Sequence, residues 1–246
     1  MKRRRFLCGT AAGILAGYRP AFATTSMQNT FGDAAQLIRA QVESGRVESA
    51  VLDVRRGSFS ETRAFGKVAS PDAVFLIASI TKPMTAAGIM ILVDQGELEL
   101  SDPVCKFIPE FSEGDRKDIT IKHLLTHTSG LPDQLEENAA LRKAHAPMKE
   151  FVQGAVVTPL LFKPGTKYSY QSMGILLASE VAQRITKQAF ADFLKETLFV
   201  PLGMKRTVLG MGGYEMSQVV WGQIEHAAPD SGAGAADTQD WDWNSS

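Results

Sequence analysis

The sequence predicts an α+β fold. Two observations carry that expectation: a pair of strand-like runs joined by a tight turn near the front of the chain, and, from residue 79 onward, apolar residues recurring at helical spacing between glycine and proline stops. The chain has 246 residues, of which 44% are hydrophobic, an ordinary composition for one globular domain, with room for a subdomain. No internal repeat, low-complexity tract or charged linker interrupts it.

Residues 1–23 read MKRRRFLCGTAAGILAGYRPAFA: a basic head from Lys2 to Arg5, a short weakly apolar centre from Phe6 to Ala16, and Ala21-Phe22-Ala23 as a small-x-small cleavage site. Arg3-Arg4-Arg5-Phe6-Leu7 resembles a twin-arginine export signal, so a periplasmic or secreted destination is expected, with the membrane met only during export. The apolar segment falls short of the ~20 residues that a membrane span needs. Cleavage after Ala23 leaves 21 basic residues against 27 acidic ones, a net charge of −6 that argues against nucleic acid as a partner. It also leaves Cys105 as the lone cysteine, so no intramolecular disulfide is expected.

Phe31, Ala34, Leu37, Ile38, Gln41 and Val42 predict a helix that stops at Gly45. Ala50–Val54 and Ser58–Phe65 read as two strands, with the turn at Arg55-Arg56-Gly57. A helix begins near Ser79, because Pro83 is tolerated only in a first turn, and runs to Gly96 with Met84, Ala87, Gly88, Ile91 and Leu92 on one face. Thr120 is placed to cap a short helix through Leu125, closed by Gly130 and Pro132. Pro164-Gly165 marks a turn and 168–172 a loop. Helices 174–185 and 189–198 follow, ended by Pro201 and Gly203. Met84, Met90, Phe190, Phe193 and Leu194 are expected in the core.

The stretch SITKPMTAAGIM, Ser79 to Met90, carries the chemistry. Residues i and i+3 share a helix face with β-carbons about 5–6 Å apart, so the Lys82 amine can reach the Ser79 hydroxyl. Serine is a weak nucleophile until a neighbouring base takes its proton, and the helix N-terminus adds N–H groups where negative charge develops. The spacing alone is weak, since 17 serines and 13 lysines in this length yield ~0.9 Ser-x-x-Lys matches by chance.

The context is specific. FLIASITK (75–82), LVDQGELELSDPV (92–104), ITIKHLLTHTSGLP (119–132), PGTKYSYQS (164–172) and PLGM (201–204) resemble, in order, the serine β-lactamase-like superfamily, in its class C, D-alanyl-D-alanine peptidase and esterase branch. That resemblance implies a β-lactamase/transpeptidase-like fold: an antiparallel sheet with flanking helices beside an all-helical region. It also implies acyl transfer, in which Ser79 attacks a carbonyl and Lys82 helps remove its proton. Tyr170, matching the family's Tyr-x-Asn element, would relay protons, and which of Lys82 and Tyr170 is the base stays open. Gln171 and Ser172 are the candidate substrate-binding residues. Ser172 stands where the family usually has asparagine; it can still bond Lys82 but holds a substrate amide less well, which favours ester or peptide substrates over β-lactams. The implied partner is a small molecule or a cell-wall peptide; no organic cofactor or metal is implied.

The family's third element, a Lys-Thr-Gly or His-x-Gly strand, has no counterpart between Val208 and Ser246; His226 is followed by Ala227-Ala228. The expected organisation is therefore a signal over 1–23, a catalytic portion over 24–207 and a glycine-rich tail over 208–246, with the sheet incomplete and the chain resembling the front part of a longer enzyme. An inactive fragment of the same family is the alternative. His123 and His127 stand four apart as zinc ligands do, yet Leu124 occupies the glutamate position of the metalloprotease motif. No Gly-x-Ser-x-Gly elbow occurs, which argues against an α/β-hydrolase.

Overall fold

Residues 21–67 and 70–220 are described by the computed structural model; the basic head of the expected signal and the segment from Trp221 onward lie outside them. The chain divides into two compact units, Met1–Ala73 and Val74–Ser246.

In the first unit, helix α1 (Ala21–Glu43) starts within the expected cleavage site and is followed by strands β1 (Ser49–Arg56) and β2 (Phe59–Gly66). The strands pair antiparallel from Ser49↔Gly66 to Arg56↔Phe59, so the turn is Gly57-Ser58 and not Arg55-Arg56-Gly57. The reason is Gly57, whose φ of 59° supplies the left-handed first position that a two-residue hairpin turn needs. Arg55 and Arg56 are thereby strand residues. Phe31 and Ala35 on α1 are buried with Phe65, and Ile38, Val42, Ala50, Leu52 and Val54 pack around them. That row follows i, i+4, i+7, i+11. Leu37, expected in the stripe, lies about 240° around the helix from Phe31 and is 69% exposed.

The second unit opens with β3 (Val74–Phe75), which pairs in parallel with β4 (Val219–Val220), so part of the predicted tail is ordered, with Met211 and Val219 buried. A 3₁₀ turn, Ala78–Ile80, leads directly into α2 (Thr81–Asp94). Then come α3 (Ile121–Leu125), α4 (Asn138–Lys143), α5 (Met148–Val157), α6 (Met173–Thr186) and α7 (Phe190–Leu194), the last continuing as a π-helical turn over Lys195–Phe199. α4 and α5 were not predicted.

α6 is the hub. Its Leu177, Ala178, Val181 and Ala182 have no exposure, and the helix packs against α2, α3, α5 and α7. Gly88 lets α2 and α7 close together, since a β-carbon there would lie 2.6 Å from Leu194 Cδ2. Among the described residues the unit thus buries its core helix against helix. Met90, expected in the core, is 44% exposed; Ile89 takes the buried position beside it. No helix among the described residues is long and apolar enough to cross a membrane.

Candidate active site

Ser79 sits in the 3₁₀ turn that feeds α2, and Pro83 falls in the first turn of that helix, where its missing N–H removes no interior hydrogen bond. The residue before Ser79, Ala78, has a φ of 43°. A non-glycine residue there stores ~1–3 kcal/mol of backbone strain, which the surrounding turn must hold. Lys82, one turn along, donates from Nζ to Ser79 Oγ at 3.0 Å. Tyr170 arrives from a loop 91 residues away, with its OH 2.6 Å from Ser79 Oγ. The three predicted catalytic groups therefore meet around one oxygen. Ser79 is exposed and Tyr170 is 41% exposed, so the site is open to solvent.

Partial burial alone would push the Tyr170 phenol up. Hydrogen bonding with Lys82 and Ser79, together with the Lys82 charge, outweighs burial and the opposing Asp133 carboxylate, and holds the phenol below its ordinary value. Lys82 Nζ also lies 4.8 Å from the Tyr170 ring centroid.

The loop after α3 fixes the Tyr170 loop. The carbonyl of His127 accepts from Ser169 N–H at 2.9 Å, that of Thr128 from Gly165 N–H at 2.8 Å, and that of Gly130 from Leu161 N–H at 2.7 Å. Asp133 accepts the Ser172 N–H through Oδ1 at 2.6 Å. Gly130 is required twice over: its φ is 88°, and a β-carbon would lie 2.2 Å from the Phe162 carbonyl oxygen. α3 itself is anchored by a capping box in which Thr120 Oγ1 accepts from His123 N–H while His123 Nδ1 accepts from Thr120 N–H. His123 is thus a capping residue.

Two expectations are corrected. Gln171, a candidate substrate-binding residue, has no exposure; its Oε1 accepts from Ser129 Oγ at 2.7 Å inside the core, so the side chain is scaffold. Ser172 stands at the N-terminus of α6, half-buried, and no hydrogen bond joins it to Lys82 among the described residues. Sequence reasoning missed the part played by His127, Ser129 and Asp133. His127 and Ser129 lie in the 119–132 motif and Asp133 just past its end, but nothing in their order along the chain shows that they meet residues 169–172.

The beta-lactamase family profile matches residues 34–242. Protein flp of Staphylococcus aureus (strain MW2) is 30% identical over 190 residues, 73% of this chain and 38% of that protein. Penicillin-binding protein 4* of Bacillus subtilis (strain 168) is 34% identical over 143 residues, 55% of this chain and 30% of that protein. Among solved structures, the D-amino acid amidase from Ochrobactrum anthropi SV3 superposes with a TM-score of 0.70 at 25% identity, over 81% of this chain and 57% of that one. The chain therefore spans well under half the length of the curated relatives it matches.

Proposed function

Since the chain belongs to the beta-lactamase family, we propose that it is a serine hydrolase that works through an acyl-enzyme at Ser79. The carrying observation is the convergence of Lys82 Nζ and Tyr170 OH on Ser79 Oγ, at 3.0 and 2.6 Å. Ser79 Oγ and Tyr170 OH share a hydrogen bond in which either can donate, and with serine as the donor its proton lies on the path to Tyr170, whose phenol is held below its ordinary value.

Tyr170 takes the proton as Ser79 Oγ bonds to the substrate carbonyl carbon. It then returns that proton to the leaving nitrogen or oxygen as the scissile bond breaks. Water, deprotonated the same way, attacks the acyl-enzyme and releases the acid, restoring free Ser79.

The substrate is an ester, a D-alanyl peptide or a β-lactam. Similarity to a penicillin-binding protein and to a D-amino acid amidase makes amides beside a D-residue the first substrates to try. Residues 1–23 direct export, so the protein works in the periplasm or outside the cell, and its new N-terminus is Thr24. Intact mass of the exported protein checks that end.

The function is tested by incubating folded protein with a fluorescent penicillin, a D-amino acid amide and p-nitrophenyl butyrate, beside Ser79→Ala. Labelling or turnover that vanishes in Ser79→Ala is expected. Folded wild-type protein inert to all three overturns the assignment.

A further inference from the structure

We infer that His127 is a positioning residue for Tyr170 and holds the phenol at Ser79 only while its imidazole is neutral. This rests on the reading of Ser79, Lys82 and Tyr170 as acyl-transfer machinery. His127 grips the chain on both sides of Tyr170. Its carbonyl accepts from Ser169 N–H at 2.9 Å, and its ring nitrogen Nδ1 accepts from Gln171 N–H at 3.2 Å. Between those two bonds the imidazole lies against the Tyr170 ring itself, centroids 4.9 Å apart and planes tilted by 34°, while Tyr168 packs edge-on at 5.9 Å.

To aim Nδ1 at Gln171, His127 adopts a φ of 58°, a left-handed conformation that histidine enters at some cost. One residue thus supplies a backbone acceptor, a side-chain acceptor and a stacking surface to a single three-residue segment.

The protonation state follows from the bond. An imidazole that accepts at Nδ1 is neutral and carries its proton on Nε2. A second proton would place an N–H on Nδ1 facing the Gln171 N–H, so the bond would be lost and the segment released. The charged groups facing the ring are Lys82 from α2 and Asp133 from the loop after α3, with the phenols Tyr168 and Tyr170 from the loop before α6. A protonated His127 would add a second cation beside Lys82. Burial, and then the Lys82 charge, hold His127 below the ordinary imidazole value against two upward pulls, hydrogen bonding with the Gln171 backbone and then the Asp133 carboxylate, so the grip survives at neutral pH and fails on acidification.

The test uses the full chain and two variants, His127→Asn and His127→Gly, chosen because both residues accept a left-handed φ without added strain. Asparagine offers an oxygen to Gln171 N–H and does not titrate. Glycine offers neither acceptor nor ring. Acylation by fluorescent penicillin or p-nitrophenyl butyrate is followed from acid to neutral pH, and the His127 nitrogens and the Tyr170 ring are followed by NMR in the wild type.

His127→Gly is expected to acylate ~10- to 100-fold more slowly at neutral pH, the cost of a misplaced catalytic group, and His127→Asn to recover most of that loss. The wild-type acid limb should share its midpoint with the His127 titration, Tyr170 resonances should shift at that same midpoint, and the limb should move away in His127→Asn. An acid limb unchanged in His127→Asn, or Tyr170 resonances indifferent to the His127 titration, overturns the inference. The NMR arm needs no activity. Turnover that persists in Ser79→Ala would instead overturn the acyl-transfer reading while the NMR arm still decides the positioning role.

Discussion

Tyr170→Phe removes one oxygen and keeps the ring that Lys82 and His127 contact. With the phenol as proton acceptor, acylation should fall by ~10²- to 10⁴-fold, the range for losing a general base. The thermal midpoint should barely move, because a hydroxyl on a partly exposed ring contributes only ~1 kcal/mol. A variant that still acylates within a few-fold of wild type would shift the base to Lys82. The pH dependence has a definite sign. A base held below its ordinary value is deprotonated earlier, so the Tyr170-dependent rise in rate comes at a midpoint under the usual ~10 of a phenol. Lys82→Met removes the hydrogen bonding and charge that lower the phenol and should move that rise upward, as a pH–rate profile will register. At this scale the contact between Ser79 and Lys82 was legible because one helical turn brings i and i+3 together, while the surrounding resemblance singled out this Ser-x-x-Lys from chance matches. Tyr170 was legible only through resemblance, since 91 residues of chain separate it from its partner. Gln171 was misread for a related reason: in an extended loop neighbouring side chains point opposite ways, so standing next to a functional tyrosine says nothing about facing the site.

Elements announced by their end signals were the ones read well. The capping box at Thr120 and the left-handed Gly96 mark α3 and α2, and α6 differs from its expected span by one residue at each end. α4 and α5 were missed although α5 carries Val152, Ala155 and Val156 at helical spacing; neither has a side-chain cap to announce it. The hairpin turn was shifted because a two-residue turn depends on the backbone at Gly57, not on the charged pair before it. Two glycines in the second unit separate conformational from steric cost. Gly203 and Gly130 both have positive φ, but a β-carbon at Gly203 meets open space, whereas one at Gly130 meets the Phe162 carbonyl oxygen at 2.2 Å. Gly203→Ala should therefore cost ~1 kcal/mol, the left-handed penalty alone. Gly130→Ala should cost more than ~3 kcal/mol, as strain and collision add. It should also depress acylation, because it pushes on the segment that leads to Tyr170. Urea unfolding with the acylation assay separates the two, and equal costs at both sites would show that residues 161–162 yield freely. Removing the cap with Thr120→Ala should cost ~1 kcal/mol.

At the scale of the whole molecule the α+β class was readable because strand and helix periods occupy different parts of the chain. Its division was not, since no composition change marks Ala73. The two units differ sharply in what they bury. Among the described residues the first holds Phe31, Ala35 and Phe65 as its buried apolar centre, while the second holds 23 such residues in one cluster. A two-stranded hairpin is marginal in water unless something covers it, and here α1 covers one face. Each buried side chain contributes only ~1.5–3 kcal/mol against the entropy of ordering its segment, so the first unit has little surplus and the second has much. Opening of β1 and β2 should therefore require less free energy than global unfolding, and their amides should exchange through that local route. Amides in the centre of α6, which touches four other helices, should exchange only on full unfolding of their unit. Native-state hydrogen exchange read residue by residue should find β1 and β2 at least ~10-fold less protected than Leu177 to Val181, a gap of ~1.4 kcal/mol. Hairpin amides as slow as those of α6 would mean that the hairpin draws on burial beyond its contacts with α1.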